Sequence, residues 1–99
     1  MGYNQTTEDI EEVLLMEAST DVGIQSQLIV YNDEVNTFDW VIQSFVEILN
    51  YSSEQAEQLS LLIHFKGKAT VKTAPKLVLK PFKDALVDRG LSAVIETTK

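Results

Sequence analysis

The stretch from Leu28 to Trp40 constrains the fold most, because an apolar strand ends in it and a helix begins. Residues 28–30 are apolar and mostly β-branched, which is typical of a strand. The polar run 32–34 follows at once and places three side chains with carbonyl or carboxylate oxygens at the strand end. Such oxygens accept hydrogen bonds and attract cations, so this turn suits a positively charged donor group.

Two helices are expected after this strand. The first should begin at residue 37 or 38, after a cap at Asn36 or Thr37, and should break at residues 50–51. The second should follow a serine cap at residue 52 or 53 and end at Gly67, which tolerates a positive φ. Apolar residues recur at intervals of three and four in both, so the predicted core-facing positions are Phe38, Val41, Ile42, Phe45, Ile48, Leu49, Ala56, Leu59, Leu62, Ile63 and Phe65.

The last third of the chain predicts a strand, a helix and a strand. Residues 68–73 alternate as a strand does. A helix beginning at 76–78 would place Pro81 in or next to its first turn and would end at Gly90, before a final strand at 91–96. The order β-α-α-β-α-β predicts one α+β domain, a three-stranded antiparallel sheet with three helices on one face.

The first 24 residues predict a flexible acidic arm, and residues 25–99 the folded core. The arm contains six acids and no Lys or Arg. An apolar cluster over residues 10–16 could form a transient helix on a partner. The start of the chain lacks the basic and apolar regions of a secretory signal, so the expected location is the cytoplasm.

Charge is distributed unevenly along the chain. The net charge is −7, and all eight Lys and Arg residues lie in residues 66–99. An acidic total argues against nucleic-acid binding, which needs a clustered basic face. The basic residues are either a solvated surface or a patch for an acidic partner. Cysteine is absent, which excludes disulfides and thiolate metal sites, and no apolar run is long enough to span a membrane.

A second informative block, Gln58 to Ala69, contains the only histidine. A ligand that combines a positively charged donor group with an apolar group needs clustered acceptors at the rim of an apolar pocket. Asn32 can supply an amide oxygen, Asp33 a carboxylate and His64 an unprotonated ring nitrogen. Individually, these residues are more often ordinary turn formers or a surface histidine.

The two blocks together, from about Gln25 to Glu96, resemble the ClpS family, adaptors that carry proteins with destabilising N-terminal residues to a Clp AAA+ unfoldase. The resemblance implies that Asn32, Asp33 and His64 bind the α-amino group of the substrate. It implies a side-chain pocket formed or bordered by Asn36, Phe38, Val41, Ser60, Ile63 and Leu91. It also implies that the N-terminal arm engages the unfoldase, of ClpA or ClpC type, through the N-terminal domain of that ATPase.

Four positions depart from the family pattern: Glu34 and Asn36, where the family often has Asp and Thr, alter the rim, and two others alter the pocket. Methionine is common in the family where this chain has Phe38 and Ser60. The first change enlarges one wall residue and the second removes most of another, so the pocket is reshaped. The departures bear on selectivity among Leu, Phe, Tyr and Trp more than on capture of the amine, and Phe38 should still exclude β-branched residues.

The rival classes are an enzyme and an interaction domain. Ser60, His64 and Asp33 could form a catalytic group, but no nucleophile elbow or phosphate loop accompanies them. The interpretation is therefore a monomeric adaptor without catalytic activity, cofactor or metal. The alternative is an interaction domain of the same fold that has lost recognition of N-terminal residues. Three polar groups retained at the pocket rim argue against that alternative.

Overall fold

The computed structural model describes residues 24–97, and its element order is the one expected from the sequence. The elements are β1 (Ser26–Tyr31), α1 (Phe38–Leu49), α2 (Ser53–Lys66), β2 (Lys68–Ala74), α3 (Lys76–Asp88) and β3 (Ser92–Thr97). The predicted α+β class is confirmed, with three antiparallel strands and three helices. The N-terminal arm and its apolar cluster, apart from residue 24, lie outside the described residues.

The first strand is the centre of the sheet. The strand order is β2-β1-β3, and β1 is antiparallel to both neighbours. Tyr31, the last residue of β1, is paired with Lys68 at the start of β2 and with Ser92 at the start of β3. The turn after β1 therefore lies beside both the α2–β2 and the α3–β3 junctions, which positions the site described below.

A β-bulge interrupts the pairing of β1 with β2. The register shifts between Leu28 and Ile29, so Val71 is the extra residue of β2. A bulged residue leaves the ladder, and the carbonyl oxygen of Val71 accepts a hydrogen bond from the hydroxyl of Tyr51. Burial raises the pKa of that hydroxyl. The alternation of residues 68–73 predicted the strand without revealing this bulge.

Side-chain caps begin the first two helices. The hydroxyl of Thr37 accepts the amide hydrogen of Trp40 at 3.1 Å, and that of Ser52 accepts the amide hydrogen of Gln55 at 3.1 Å. Each bond satisfies one of the backbone donors that a helix start leaves free. Of the alternative caps open from the sequence, Thr37 and Ser52 are the ones used. Asn50 ends α1 with a φ of 62°.

The buried face of α2 differs from the prediction. Leu62 is 45% exposed and Phe65 is 77% exposed, so their assignment to the core was wrong. The packed positions are 56, 59, 60 and 63, which recur at the helical period and lie on one stripe. Ser60, 3% exposed, thus occupies a place in an otherwise apolar stripe.

Pro81 lies just after the first turn of α3. The helix starts at Lys76, within the expected range, so the proline is in the second turn, next to the first. It has no amide hydrogen to donate to the carbonyl of Leu77, and α3 loses one internal hydrogen bond there. The side chain of Pro81 is exposed.

The core lies between the sheet and its helices. Leu28 and Val30 point into it from β1, and the helices contribute the other large side chains. Four large residues have no exposed surface at all: Leu28, Phe45, Leu79 and Leu86. Alternation along a strand explains why residues 28 and 30 share this face. Within residues 24–97, no helix combines the length and apolarity needed to cross a bilayer.

Candidate functional site

The site forms where the turn after β1 meets the end of α2. The amide of Asn32 donates to the carbonyl of Gly67 at 2.9 Å, which holds the turn against the helix end. The amide of Gly67 in turn donates to the carbonyl of Ile63 at 2.8 Å and closes α2. These two backbone bonds bring Asn32 and Asp33 close to His64 in the last turn of the helix.

Asp33 organises the turn with its carboxylate. One oxygen, Oδ1, accepts the backbone amides of Val35 at 2.9 Å and Asn36 at 2.8 Å. The other, Oδ2, accepts the side-chain amide of Asn36 at 2.9 Å and the hydroxyl of Ser92 at 3.5 Å. The backbone hydrogen bond from Asn36 is the main cause of a lowered pKa for Asp33, which burial partly opposes. The carboxylate is therefore ionised at neutral pH, and the long bond from Ser92 leaves Oδ2 the less fully occupied oxygen.

Asn36 connects the turn to the α3–β3 junction. Its side-chain amide donates both to Asp33 and to the carbonyl of Gly90, the latter at 2.9 Å. The indole nitrogen of Trp40 donates to the carbonyl of Arg89 at 3.0 Å, beside the Gly90 contact. The two bonds hold the start of β3 against α1. The sequence suggested a cap or a rim position for Asn36, and it contained no sign of this bridge.

The turn and the two helices enclose a cavity of about 420 Å³. This volume is within the ordinary range for small-ligand pockets. Its lining consists of Asn32, Asp33, Glu34, Asn36, Phe38, Val41, Ser60, Ile63 and His64. Eight of the nine residues proposed from the sequence are thus brought together. The ninth, Leu91, is 4% exposed and borders a separate small cavity of about 20 Å³ next to Val41 and Ile63.

Polar groups at the cavity rim are available to a ligand. The side chains of Asn32 and His64 are exposed, and neither makes a hydrogen bond to another described residue. The ring of His64 makes only an edge contact with Phe65, at 5.1 Å between centroids. Together with the ionised Asp33, these groups form an acceptor cluster above Val41 and Ile63. A cation that carries an apolar substituent matches both parts of the cavity.

Glu34, the third oxygen-bearing residue of the turn, also lines the cavity and adds a second carboxylate to its rim. One feature of the site had not been predicted from the sequence. The hydroxyl of Ser60 is buried and has no hydrogen-bond partner among the described residues. Residues 56, 59, 60 and 63 recur at the helical period, and this spacing was a signal that Ser60 could be buried. The spacing alone does not decide whether a serine in such a stripe is buried, because that depends on the elements that pack against it.

Replacing Gly67 by alanine should lower the free energy of unfolding by about 1 to 2 kcal/mol. The φ of Gly67 is 92°, a region that L side chains rarely adopt, and an added Cβ would meet no atom within 4 Å. The cost is therefore backbone strain alone. Urea unfolding of Gly67→Ala measures it, with Gly67→Asn as the control because asparagine tolerates positive φ better. Equal losses in both variants would contradict this account.

The fold and the cavity define a class: a small α+β domain with a ligand pocket at the end of its central strand. Residues 25–93 match the family model described as "ATP-dependent Clp protease adaptor protein ClpS". The chain belongs to the ClpS family. Members of this family are adaptors of the Clp protease and not catalysts, so the chain is an adaptor in regulated proteolysis rather than an enzyme.

Individual relatives agree with this assignment. The ClpS adapter of Corynebacterium diphtheriae is 27% identical over 96 residues, which cover 97% of this chain and 85% of that one. The ClpS adapter of Streptomyces avermitilis is 30% identical over 92 residues, covering 93% and 85%. Among solved structures, Agrobacterium tumefaciens ClpS2 bound to L-phenylalaninamide superposes with a TM-score of 0.72 at 15% identity, covering 75% of this chain and 96% of that chain. That structural likeness shows the fold.

Proposed function

We propose that this adaptor binds proteins whose N-terminal residue is large and apolar (Leu, Phe, Tyr or Trp) and delivers them to a Clp AAA+ unfoldase. One observation carries the proposal: the rim of acceptors formed by Asn32, Asp33 and His64 borders a cavity of about 420 Å³ whose apolar wall consists of Phe38, Val41 and Ile63. The ligand of the Agrobacterium protein, L-phenylalaninamide, combines an α-amine with a benzyl side chain. A ligand with an α-amine and a bulky apolar side chain suits a rim of acceptors beside an apolar wall.

The roles divide between the rim and the pocket. The α-ammonium group donates to Asn32, to Asp33 and to the unprotonated ring nitrogen of His64. The side chain of the substrate enters between α1 and α2, where the lining residues are Asn36, Phe38, Val41, Ser60 and Ile63. Leu91 borders this pocket from the small cavity next to Val41 and Ile63. Phe38, 39% exposed, stands at the entrance and disfavours branching at the β-carbon. Asn36 holds Asp33 in place through the hydrogen bond between their side chains.

General magnitudes set the expected affinity. Burial of one large apolar side chain contributes about 1.5 to 3 kcal/mol, and each charge-assisted hydrogen bond contributes roughly 1.5 to 3 kcal/mol. Association costs at least about 4 kcal/mol, so the expected dissociation constant is about micromolar or weaker. Docking of the adaptor on an unfoldase compensates, because it raises the effective concentration of the substrate at the pore.

The partner is proposed to be a ClpA- or ClpC-type ATPase, bound through its N-terminal domain. The acidic arm, residues 1–24, is the segment proposed to engage it. We expect the adaptor to act in the cytoplasm as a monomer.

Fluorescence anisotropy with matched peptides tests N-terminal recognition. Peptides that begin with Phe, Leu or Trp should bind, and a Val peptide should bind much more weakly because Phe38 restricts the entrance. An N-acetylated Phe peptide has lost its charge and two of its donors, so its binding should be abolished. Binding that persists after acetylation would contradict amine recognition. A complete lack of binding would favour an interaction domain that has lost this recognition.

A further inference from the structure

Ser60 is the unusual residue of the cavity. Its residue surface is 3% exposed, and its hydroxyl makes no hydrogen bond with any described residue. Ser44, the other buried serine of the helices, donates its hydroxyl to the carbonyl of Trp40 at 2.8 Å. A buried hydroxyl without a partner is costly, because it has lost water and gained nothing in exchange. Ser60 therefore carries an unused donor and acceptor beside the ligand cavity.

Its position along α2 and its burial place Ser60 at the inner end of the cavity. Ser60 and His64 are four residues apart, so they lie on one face of the helix and about 6 Å apart along its axis. His64 is exposed whereas Ser60 is buried. The cavity therefore deepens from His64 at its rim toward Ser60. A substrate whose amine is held at His64 thus extends its side chain toward Ser60. In tyrosine, the phenolic oxygen is the atom furthest from the amine, at a comparable separation.

We propose that Ser60 makes this adaptor prefer an N-terminal tyrosine over phenylalanine through a hydrogen bond between the two hydroxyls. The inference rests on the proposed function, since it requires the amine to be held at the rim. Each hydroxyl both donates and accepts, so the pair forms in either sense. Phenylalanine or leucine leaves Ser60 unpaired, and the bound side chain isolates it further from water. The bond satisfies two buried polar groups at once, and a site built this way discriminates against the analogue that lacks the hydroxyl.

The test compares peptides that differ only in their first residue, Tyr, Phe, 4-methylphenylalanine or Leu, by fluorescence anisotropy. The wild-type chain should bind the Tyr peptide about three- to tenfold more tightly than the Phe peptide. The 4-methyl analogue has nearly the size of tyrosine but no hydroxyl, so it should bind no better than Phe. In Ser60→Ala the preference should disappear or reverse, because the phenol is then buried without a partner.

Two variants complete the experiment. Ser60→Thr keeps the hydroxyl and should retain the preference for Tyr. Ser44→Ala removes a buried hydroxyl that does not line the cavity, so the ratio of the Tyr and Phe affinities should stay at its wild-type value. A thermal melt of each variant serves as the folding control. We expect Ser60→Ala to melt no lower than the wild type, since it deletes an unpaired hydroxyl.

The outcomes separate this inference from the proposed function. If the Phe and Leu peptides bind but the ratio of Tyr to Phe affinity is the same in the wild type and Ser60→Ala, the role of Ser60 is overturned while N-terminal recognition stands. Equal affinity for the Tyr and 4-methyl peptides would assign the preference to size and overturn it as well. If no peptide binds, the proposed function fails and this inference fails with it.

Discussion

Replacing Asp33 by asparagine is expected to weaken binding of a Phe-initiated peptide by roughly 10- to 150-fold, the loss of one charge-assisted hydrogen bond. The carboxylate contributes in two ways. It supplies the negative charge nearest to the proposed ammonium position, and its two oxygens accept four hydrogen bonds that shape the turn. In Asp33→Asn the new amide group would face the side-chain amide of Asn36, donor against donor, or would displace the backbone amides. Anisotropy titration measures the loss.

The control for this substitution is Glu34→Gln. It removes the same charge from the next residue, and Glu34 also lines the cavity. The Glu34 carboxylate makes no hydrogen bond to a described residue, so its loss should change affinity by less than about threefold. Similar losses in both variants would mean that general electrostatic attraction, rather than the placement of Asp33, controls binding.

Asp33 also makes the stability of the fold depend on pH in the acid range. The pKa of Asp33 is lowered in the folded chain, chiefly by the backbone amide of Asn36. A lowered folded pKa means that the stabilisation is present above the unfolded value, about 3.9, and is lost as the pH falls through the folded pKa. Neither stability nor amine binding should therefore change through Asp33 between about pH 5 and 8, on the same reference value. In Asp33→Asn, the part of the acid destabilisation that comes from protonation of Asp33 should be missing.

Replacing Phe45 by alanine is expected to lower the free energy of unfolding by about 3 to 5 kcal/mol. Phe45 has no exposed surface and packs in the core cluster from α1. The substitution removes a ring from a closely packed interior that can only partly collapse around the space. Natural domains are stable by about 5 to 15 kcal/mol, so the loss is a large part of the total. Urea unfolding followed by the fluorescence of Trp40, the only tryptophan, measures it.

Phe65 provides a matched control for this stability change. It is the same residue type in a helix, but it is 77% exposed. Phe65→Ala should change the free energy of unfolding by no more than about 0.5 kcal/mol. The sequence alone predicted both phenylalanines to face the core, so this pair also tests the corrected face of α2. A loss in Phe65→Ala comparable to that in Phe45→Ala would restore the original prediction.

The order of elements and the position of the candidate site were accessible from the sequence because they depend on local signals. An apolar run that ends in Asn32 and Asp33 predicts a strand end with clustered acceptors, whatever the rest of the chain does. Thr37, Ser52 and Gly67 act on backbone groups a few residues away, and the helix boundaries followed from them. Grouping the site residues additionally required the family resemblance, since nothing local connects Asn32 to His64.

Local reasoning was wrong where packing between elements decides. Leu62 and Phe65 belong to an apolar pattern on α2 but lie outside its buried stripe, because the sheet and α1 cover only one side of that helix. The bulge at Val71 depends on the register with β1 and on Tyr51, a residue twenty positions away. Neither the exposure of Leu62 and Phe65 nor the bulge at Val71 is marked by a local sequence signal strong enough to predict it.

By itself, the sequence determined the succession of strands and helices, the acceptors after β1 and the glycine that ends α2, because these features arise from interactions among near neighbours. The tertiary structure alone decided that β1 lies between β2 and β3, so that His64 and Leu91 approach the same turn. It also decided that Asn36 reaches Gly90, 54 residues away, and that the hydroxyl of Ser60 is buried without a partner. These contacts join elements distant in the chain, and their free energies depend on which surfaces pack together.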